Sequence, residues 1–90
     1  MSFRVELSRQ ARRALAEELP EVVAAACLEF IHGPLADNPH RVGKQLAPPH
    51  YPRYAARRGD FRIIYRIQAD RLLVLVVNIQ HRRDIYRTPS

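Results

Sequence analysis

The chain has 90 residues, of which 47% are hydrophobic and 27% charged, and its formal net charge at pH 7 is +6. A chain of this length buries one modest core, so we expect a single domain over residues 1–90. It has no apolar run of the roughly 18 residues that a membrane helix needs, and its N-terminus lacks a signal-peptide core. The lone cysteine argues against an internal disulfide framework and a cysteine-based zinc site. We therefore expect a cytoplasmic globular protein.

The net positive charge of the chain resides entirely in residues 51–90. Residues 1–50 carry six basic and six acidic side chains, whereas residues 51–90 carry nine arginines against three aspartates. A field of one sign over half a chain favours a polyanionic partner, in particular nucleic acid. The alternative is that the charge serves solubility alone.

The N-terminal part is predicted to form a strand followed by two helices. The alternating "FRVEL" (3–7) predicts a short strand, and Ser8 is placed to cap a helix over 9–18. The segment "EVVAAACLEFIH" (21–32) predicts a second helix with one apolar stripe. Gly33–Pro34 predicts where that helix ends.

The C-terminal part is predicted to form a sheet. After an irregular, proline-rich connector over 34–52, "RYAARRGDFRIIYRI" (53–67) and "RLLVLVVNI" (71–79) predict three antiparallel strands with tight turns at 58–60 and 68–70. The last strand is apolar on both sides, as a central strand is. The predicted order is βααβββ, an α+β fold with two helices on one face of a small, mostly antiparallel sheet and a short C-terminal tail or helix.

Side-chain alternation predicts a basic face on this sheet. In the middle strand Phe61 and Tyr65 point to one face and Arg62 to the other. If the preceding turn has an even number of residues, the strand before it adds three side chains to the face of Arg62: Arg53, Ala55 and Arg57. The helices cover the Phe61 side, so the Arg62 side is open. The tail after His81 can bring further side chains to it: Arg82, Arg83 and Tyr86.

Clustered arginines beside a tyrosine suit a phosphodiester. Guanidinium groups hold its anionic oxygens, and more firmly as negative charge grows in the transition state, while an aromatic ring stacks on unpaired bases. The alternative is a solvated face whose arginines pair with the domain's own carboxylates or with an acidic partner. On charge alone, this alternative is the stronger interpretation.

Three segments, "GPLADNPHRVGKQL" (33–46), "ARRGDFRIIYRI" (56–67) and "HRRDIYR" (81–87), closely resemble the RelE family of bacterial toxins within the RelE/ParE superfamily, in particular its actinobacterial members. The resemblance covers essentially the whole chain and implies the βααβββ fold. It also implies the toxin of a type II toxin–antitoxin system, an mRNA endoribonuclease that acts in the ribosomal A site. The RNA 2′-hydroxyl would attack the adjacent phosphorus, without a metal ion or other cofactor.

The partners that the resemblance implies are a ribosome with its mRNA and a cognate antitoxin. The antitoxin would be acidic, partly disordered when free and folded largely on binding. No membrane is involved, and DNA contact is expected only through the antitoxin.

The resemblance also assigns roles to residues. Arg62 and Arg82 match arginines that would stabilise the phosphorane, and Tyr86 matches a tyrosine that stacks on a base or takes part in proton transfer. Arg53 stands where better-studied members have a lysine, and Ala55 where they have a second one.

The other candidate site residues are one histidine and four cations. His81 is a candidate acid or base because imidazole titrates near neutral pH. Four cations are expected to bind RNA phosphates: Lys44, Arg57, Arg58 and Arg83. Ala47 replaces an arginine common in the family. His50, in the unusual loop "APPHYP", cannot be placed from the pattern.

The resemblance does not supply the residues that would transfer the proton. In the family a lysine is the candidate base, whereas arginine is a poor base at neutral pH and Ala55 has no titratable group. One hypothesis is that catalysis rests on electrostatic stabilisation and on positioning by the ribosome. Two alternatives stay open: a ParE-like inhibitor of gyrase without nuclease activity, and a catalytically weakened RelE homologue that mainly binds its antitoxin.

Overall fold

The computed structural model describes residues 2–81. The helical segments are α1 (Arg9–Arg13) with a π-helical turn (Ala14–Glu18), α2 (Glu21–Phe30) with a second π-helical turn (Ile31–Leu35), and α3 (Pro39–Val42). The strands are β1 (Arg4–Leu7), β2 (Lys44–Gln45), β3 (Tyr54–Arg58), β4 (Phe61–Gln68) and β5 (Leu73–His81). Within the described range, no helix has the length and apolar character that a bilayer crossing requires.

The five strands form one sheet in the order β1-β5-β4-β3-β2. Strand β1 runs parallel to β5, and all other neighbours are antiparallel. The predicted α+β arrangement is confirmed, with β2 as an additional short strand. Strand β5 lies between β1 and β4, which agrees with its apolar sequence.

Ser8 ends β1 and begins α1, as predicted. Its hydroxyl oxygen accepts a hydrogen bond from the Ala11 N–H at 3.0 Å, which satisfies one of the free donors of the first helical turn. The same hydroxyl donates to the Val77 carbonyl oxygen at 2.6 Å. The start of α1 is therefore tied to the middle of β5.

The predicted end of the second helix is wrong. The chain stays helical through Gly33 and Pro34, in the π-helical turn Ile31–Leu35. Ile31 and Leu35 are fully buried in the core, and this tertiary packing overrides the local stop signal. The wider π-helical turn also accommodates a proline within the helix.

The predicted irregular connector over 34–52 contains two short elements, α3 and β2. Pro39 occupies the first turn of α3, where its missing N–H has no helical partner to lose. The two residues of β2 pair with β3, a stretch too short to show an alternating pattern. Within the connector, only 46–52 forms a longer irregular loop.

Both predicted turns of the sheet exist, but the second differs in its bounds. Arg58 pairs with Phe61 around a two-residue turn, in which Gly59 has φ +57°, so the even-residue condition is met. The second connection runs over 69–72 and β5 begins at Leu73, because Leu72 adopts a left-handed conformation.

The core fills the space between the helices and one face of the sheet. It contains Ile63 and Tyr65 of β4, Val74 of β5 and Cys27 of α2. Burial raises the pKa of the Cys27 thiol to about 12, so this cysteine packs as a small apolar side chain. The helices therefore cover the Phe61–Tyr65 face, as predicted.

Tyr65 shows how tightly this face is packed. Its hydroxyl donates to the Pro39 carbonyl oxygen at 2.6 Å, and burial, with a smaller effect of Tyr54, raises the pKa of its phenol. A Cβ added at Gly43 would lie 2.8 Å from the Ala55 carbonyl oxygen and closer still to the Tyr65 hydroxyl. Gly43 therefore permits the approach of α3 and β2 to the sheet.

Candidate active site

Arg62 lies near the start of the central strand β4, on the sheet face that the helices leave largely open, which we call the open face. It pairs with Arg57 of β3 on one side and with Gln80 of β5 on the other. Its Nε donates to the Gln80 Oε1 at 3.2 Å, and the side chain is half-buried. This bond orients the guanidinium plane, whose terminal nitrogens are the groups that grip phosphate oxygens in pairs.

One cavity of about 340 Å³ opens between Arg62 and the loop that follows β2. We call it the loop-side cavity. Its polar walls come from α1, the β2–β3 loop and strands β4 and β5: Gln10, His50, Arg53, Arg62, Asn78 and Gln80. A bulge in β5 leaves Val77 unpaired next to Asn78, and both residues line this cavity.

A second cavity of about 460 Å³ lies on the other side of Arg62. We call it the hairpin cavity, because Lys44 of β2 and Ala55 and Arg57 of β3 line it. Its cationic walls are Lys44, Arg57 and Arg62. Arg62 and Leu46 line both cavities, so the two adjoin on the open face and both fall in the size range of ligand pockets, roughly 300–1,000 Å³.

The electrostatics of the open face favour an anion. Among the described residues, neither cavity has an acidic lining residue, whereas four basic ones line them: Lys44, Arg53, Arg57 and Arg62. Like charges directly opposite each other destabilise a sheet, and Arg57 stands opposite Arg62. A bound polyanion would relieve that repulsion. This arrangement argues against the alternative in which the arginines pair with the domain's own carboxylates.

Comparison with known proteins identifies the family. Residues 5–86 match the family model described as the ParE toxin of type II toxin–antitoxin system, parDE. The chain belongs to this toxin family.

Two relatives and a solved structure from Mycobacterium tuberculosis narrow the assignment. The chain is 42% identical to Toxin RelE over 85 residues, which cover 94% of this chain and 87% of that protein. It is 40% identical to Toxin RelG over 87 residues, which cover 97% and 99%. The RelBE2 toxin–antitoxin complex contains a chain that superposes with a TM-score of 0.88 at 36% identity, covering 91% of this chain and 100% of that one. The molecule is therefore a RelE-like toxin of a type II toxin–antitoxin system, and the resemblance found in the sequence is confirmed.

The structure brings together four of the residues that the sequence assigned to the toxin's site. Arg53 and Arg62 line the loop-side cavity, and Lys44, Arg57 and again Arg62 line the hairpin cavity. Arg62 does not point into the helix layer. Ala55 lines the hairpin cavity as well, so the position of the family's second lysine faces this space without a charge.

Two further candidates lie on the helix-covered face of the toxin. The Arg58 guanidinium carbon sits 5.4 Å from the centre of the Phe30 ring, in a cation–π contact away from Arg62. His81 pairs directly with Phe61, and residues directly opposite each other share a face. The structure therefore does not bring Arg58 or His81 to the open face. Three more candidates lie outside the described residues: Arg82, Arg83 and Tyr86.

Sequence reasoning missed several polar residues of the loop-side cavity. Asn78 lies inside the predicted strand over 71–79 and Gln80 directly after it, and the two flank Ile79 in "NIQ". Strand alternation therefore places both on the face opposite Ile79 once the strand is extended to His81. Gln10 and His50 left no comparable pattern, because their positions depend on how α1 and the β2–β3 loop pack.

Proposed function

We propose that this toxin is a metal-independent endoribonuclease that cleaves mRNA in the ribosomal A site and so stops translation. The observation that carries the proposal is the convergence of Lys44, Arg53, Arg57 and Arg62 on one open face. The kinship to Toxin RelE and Toxin RelG supports the same class.

The proposed reaction uses the open face to hold the scissile phosphate. The RNA 2′-oxygen bonds to the adjacent phosphorus and the bond to the 5′-oxygen breaks, which leaves a cyclic phosphate on one product and a 5′-hydroxyl on the other. Arg62, oriented by Gln80, would bind the non-bridging oxygens, and Arg57 would reach them from the neighbouring strand. Both would bind more strongly as charge accumulates on the phosphorane.

The C-terminal segment would complete this site. Under the proposal, Arg82 supplies a further cation for the phosphorane, Arg83 contacts RNA phosphates, and Tyr86 stacks on a base or takes part in proton transfer. The ribosome would supply the rest by orienting the mRNA, so we expect naked single-stranded RNA to be cut poorly.

An acidic antitoxin is the proposed partner that silences the toxin. The related RelBE2 structure is a toxin–antitoxin complex, and the cationic open face offers an acidic segment a complementary surface. Such a segment would compete with RNA for the same arginines.

The second candidate function is inhibition of gyrase without nuclease activity. Two observations favour it. The matching family model is described as the ParE toxin, and Arg53 and Ala55 occupy positions where the RelE resemblance implies lysines. A third possibility, a weakened homologue that mainly binds antitoxin, rests on Ala47 and Ala55.

Induced expression without antitoxin separates the three functions. If the toxin is a nuclease, protein synthesis should halt early and new transcript ends should appear within codons. DNA-damage signalling without new transcript ends would instead identify a gyrase inhibitor. Normal growth would identify the weakened homologue. The matched pair is Arg62→Ala and Arg66→Ala, since Arg66 lies on the same strand and face but outside the lining of both cavities. We expect only Arg62→Ala to lose toxicity, and full toxicity of that variant would contradict the proposal.

A further inference from the structure

The loop-side cavity contains a titratable group that the proposed mechanism does not yet use. Its cations, Arg53 and Arg62, carry guanidinium groups, which do not lose a proton in proteins. Lys44 lines the adjoining cavity and is exposed, whereas lysines that act as bases at neutral pH are typically buried. His50 is the remaining nitrogen base among the described lining residues.

The loop holds the backbone of His50 in place from both sides. Its N–H donates to the Ala47 carbonyl oxygen at 3.0 Å, and its own carbonyl oxygen accepts from the Arg53 N–H at 3.0 Å. The Leu46 N–H donates to the Arg53 carbonyl oxygen at 2.8 Å and closes the base of the loop. These bonds fix where the imidazole emerges, in the wall that it shares with Arg53 and Arg62.

We infer that His50 is the general base of the RNA cleavage, an inference that rests on the proposed function. A neutral imidazole has one ring nitrogen free to accept a proton, and histidine changes its charge between pH 5 and 8. The imidazole takes the proton of the 2′-hydroxyl while the 2′-oxygen bonds to phosphorus. The bond from phosphorus to the 5′-oxygen breaks with its electron pair, and that oxygen takes a proton from solvent. The imidazolium then returns its proton to solvent.

The surroundings of His50 fit this role. The charged groups that line its cavity are Arg53, from the same loop, and Arg62, from β4. The residues contributed by α1 and β5, which are Gln10, Asn78 and Gln80, are polar and uncharged. A phosphate held by the two guanidinium groups would therefore lie in the same cavity as the imidazole, with its 2′-hydroxyl within the space that His50 borders.

The test is single-turnover cleavage of ribosome-bound mRNA by the full-length toxin between pH 5 and 9. We expect the wild-type rate to rise with pH through the range in which histidine loses its proton. His50→Gln should lower the rate about 10²- to 10⁴-fold, the usual contribution of a positioned acid or base, and flatten this rise. His32→Gln, at an exposed histidine that lines neither of the two cavities, should behave as wild type. Arg62→Ala should lower the rate at every pH but keep the rise.

A modified substrate distinguishes a base from an acid. When sulfur replaces the 5′-oxygen, the leaving group no longer needs a proton, so a defect in an acid disappears and a defect in a base persists. We expect His50→Gln to stay slow on this substrate. Restoration of the rate would overturn the assignment of His50 as base.

Failure of this inference differs from failure of the proposed function. If wild type cleaves, Arg62→Ala does not, and His50→Gln keeps the wild-type rate and pH dependence, only the inference is overturned. If wild type leaves ribosome-bound mRNA intact, the proposed function itself fails, and the inference with it. An NMR titration of the His50 ring in unmodified toxin gives an independent check when the rate is measured at toxin concentrations far below saturation, because that rate reports the groups of the free toxin. A midpoint more than one pH unit away from that of the rate would contradict the role.

Discussion

Both faces of the sheet carry arginines, but the surroundings of these arginines differ from one face to the other. Arg57 and Arg58 are neighbours in β3, yet Arg57 faces Arg62 across the open face while Arg58 stacks over Phe30 on the helix side. On the helix-covered face the Arg58 guanidinium makes a cation–π contact with an aromatic ring. On the open face Arg57 and Arg62 stand opposite each other and line a cavity. The packing that stabilises this toxin therefore lies mainly on the helix-covered face, and its proposed chemistry lies on the open face.

The largest effect on stability is expected from the adjacent pair Ile63 and Ile64. Ile63 is fully buried in the helix-side core, whereas Ile64 is 7% exposed and borders the loop-side cavity. Ile63→Ala should lower the free energy of unfolding by about 2–5 kcal/mol. Ile64→Ala should lower it by clearly less, because water already reaches one side of that residue.

Thermal unfolding measures this difference, since about 1 kcal/mol shifts the midpoint of a domain this small by roughly 4–8 °C. Equal shifts for the two variants would mean that the open face is packed as tightly as the core, against the comparison drawn above.

Gly43→Ala should be the next most damaging change. The added methyl group would press on the Ala55 carbonyl and the Tyr65 hydroxyl, and overpacking of this kind costs about 1–3 kcal/mol. Denaturant unfolding would measure it, with Gly33→Ala as the control, because a Cβ at Gly33 meets nothing within 4 Å. A harmless Gly43→Ala would show that α3 and β2 can move away from the sheet.

Tyr65→Phe isolates one hydrogen bond beneath the same contact. Loss of the hydroxyl leaves the Pro39 carbonyl oxygen without its 2.6 Å donor, and an unpaired buried acceptor costs about 1–3 kcal/mol. We expect a value at the low end of that range, measured by urea unfolding at neutral pH, because an intramolecular hydrogen bond typically contributes only about 1 kcal/mol net. A variant as stable as wild type would show that this bond adds nothing to the core.

The smallest effects, with opposite signs, are expected at Arg57 and Arg58. Arg58→Ala should destabilise by about 0.5–1 kcal/mol through loss of the cation–π contact. Arg57→Ala should stabilise by a few tenths of a kcal/mol at low salt, because like charges opposite each other in a sheet cost about that much. Added salt should erase the second effect by screening it. Destabilisation by both variants would mean that Arg57 has a structural partner.

Most of the fold could be predicted because its strongest patterns are local. The alternation over 61–67 is sufficient to predict strand β4, and the cap at Ser8 is sufficient to predict where α1 begins. The end of the second helix was missed because the burial of Ile31 and Leu35, which a sequence does not display, outweighs a glycine followed by a proline.

The candidate site was predictable only where it follows strand alternation. Arg57 and Arg62 were placed correctly on one face by parity, and the same parity assigns Arg58 to the other face, although the sequence prediction grouped it with the phosphate ligands. His50 could not be predicted, because its position depends on backbone hydrogen bonds within an irregular loop. Loop closure of this kind has no repeating pattern to detect.

Under the proposed function the open face, and not the helix side, binds the RNA phosphodiester. The direct measurement is the change in backbone amide chemical shifts when the antitoxin-free toxin is titrated with a short RNA made uncleavable by a 2′-deoxy sugar at the scissile position. We predict changes centred on Lys44, Arg57, Arg62 and Gln80 that weaken steeply as salt increases. Changes centred on Arg58 and Phe30, or none in the four open-face residues at RNA concentrations that saturate binding, would contradict the account.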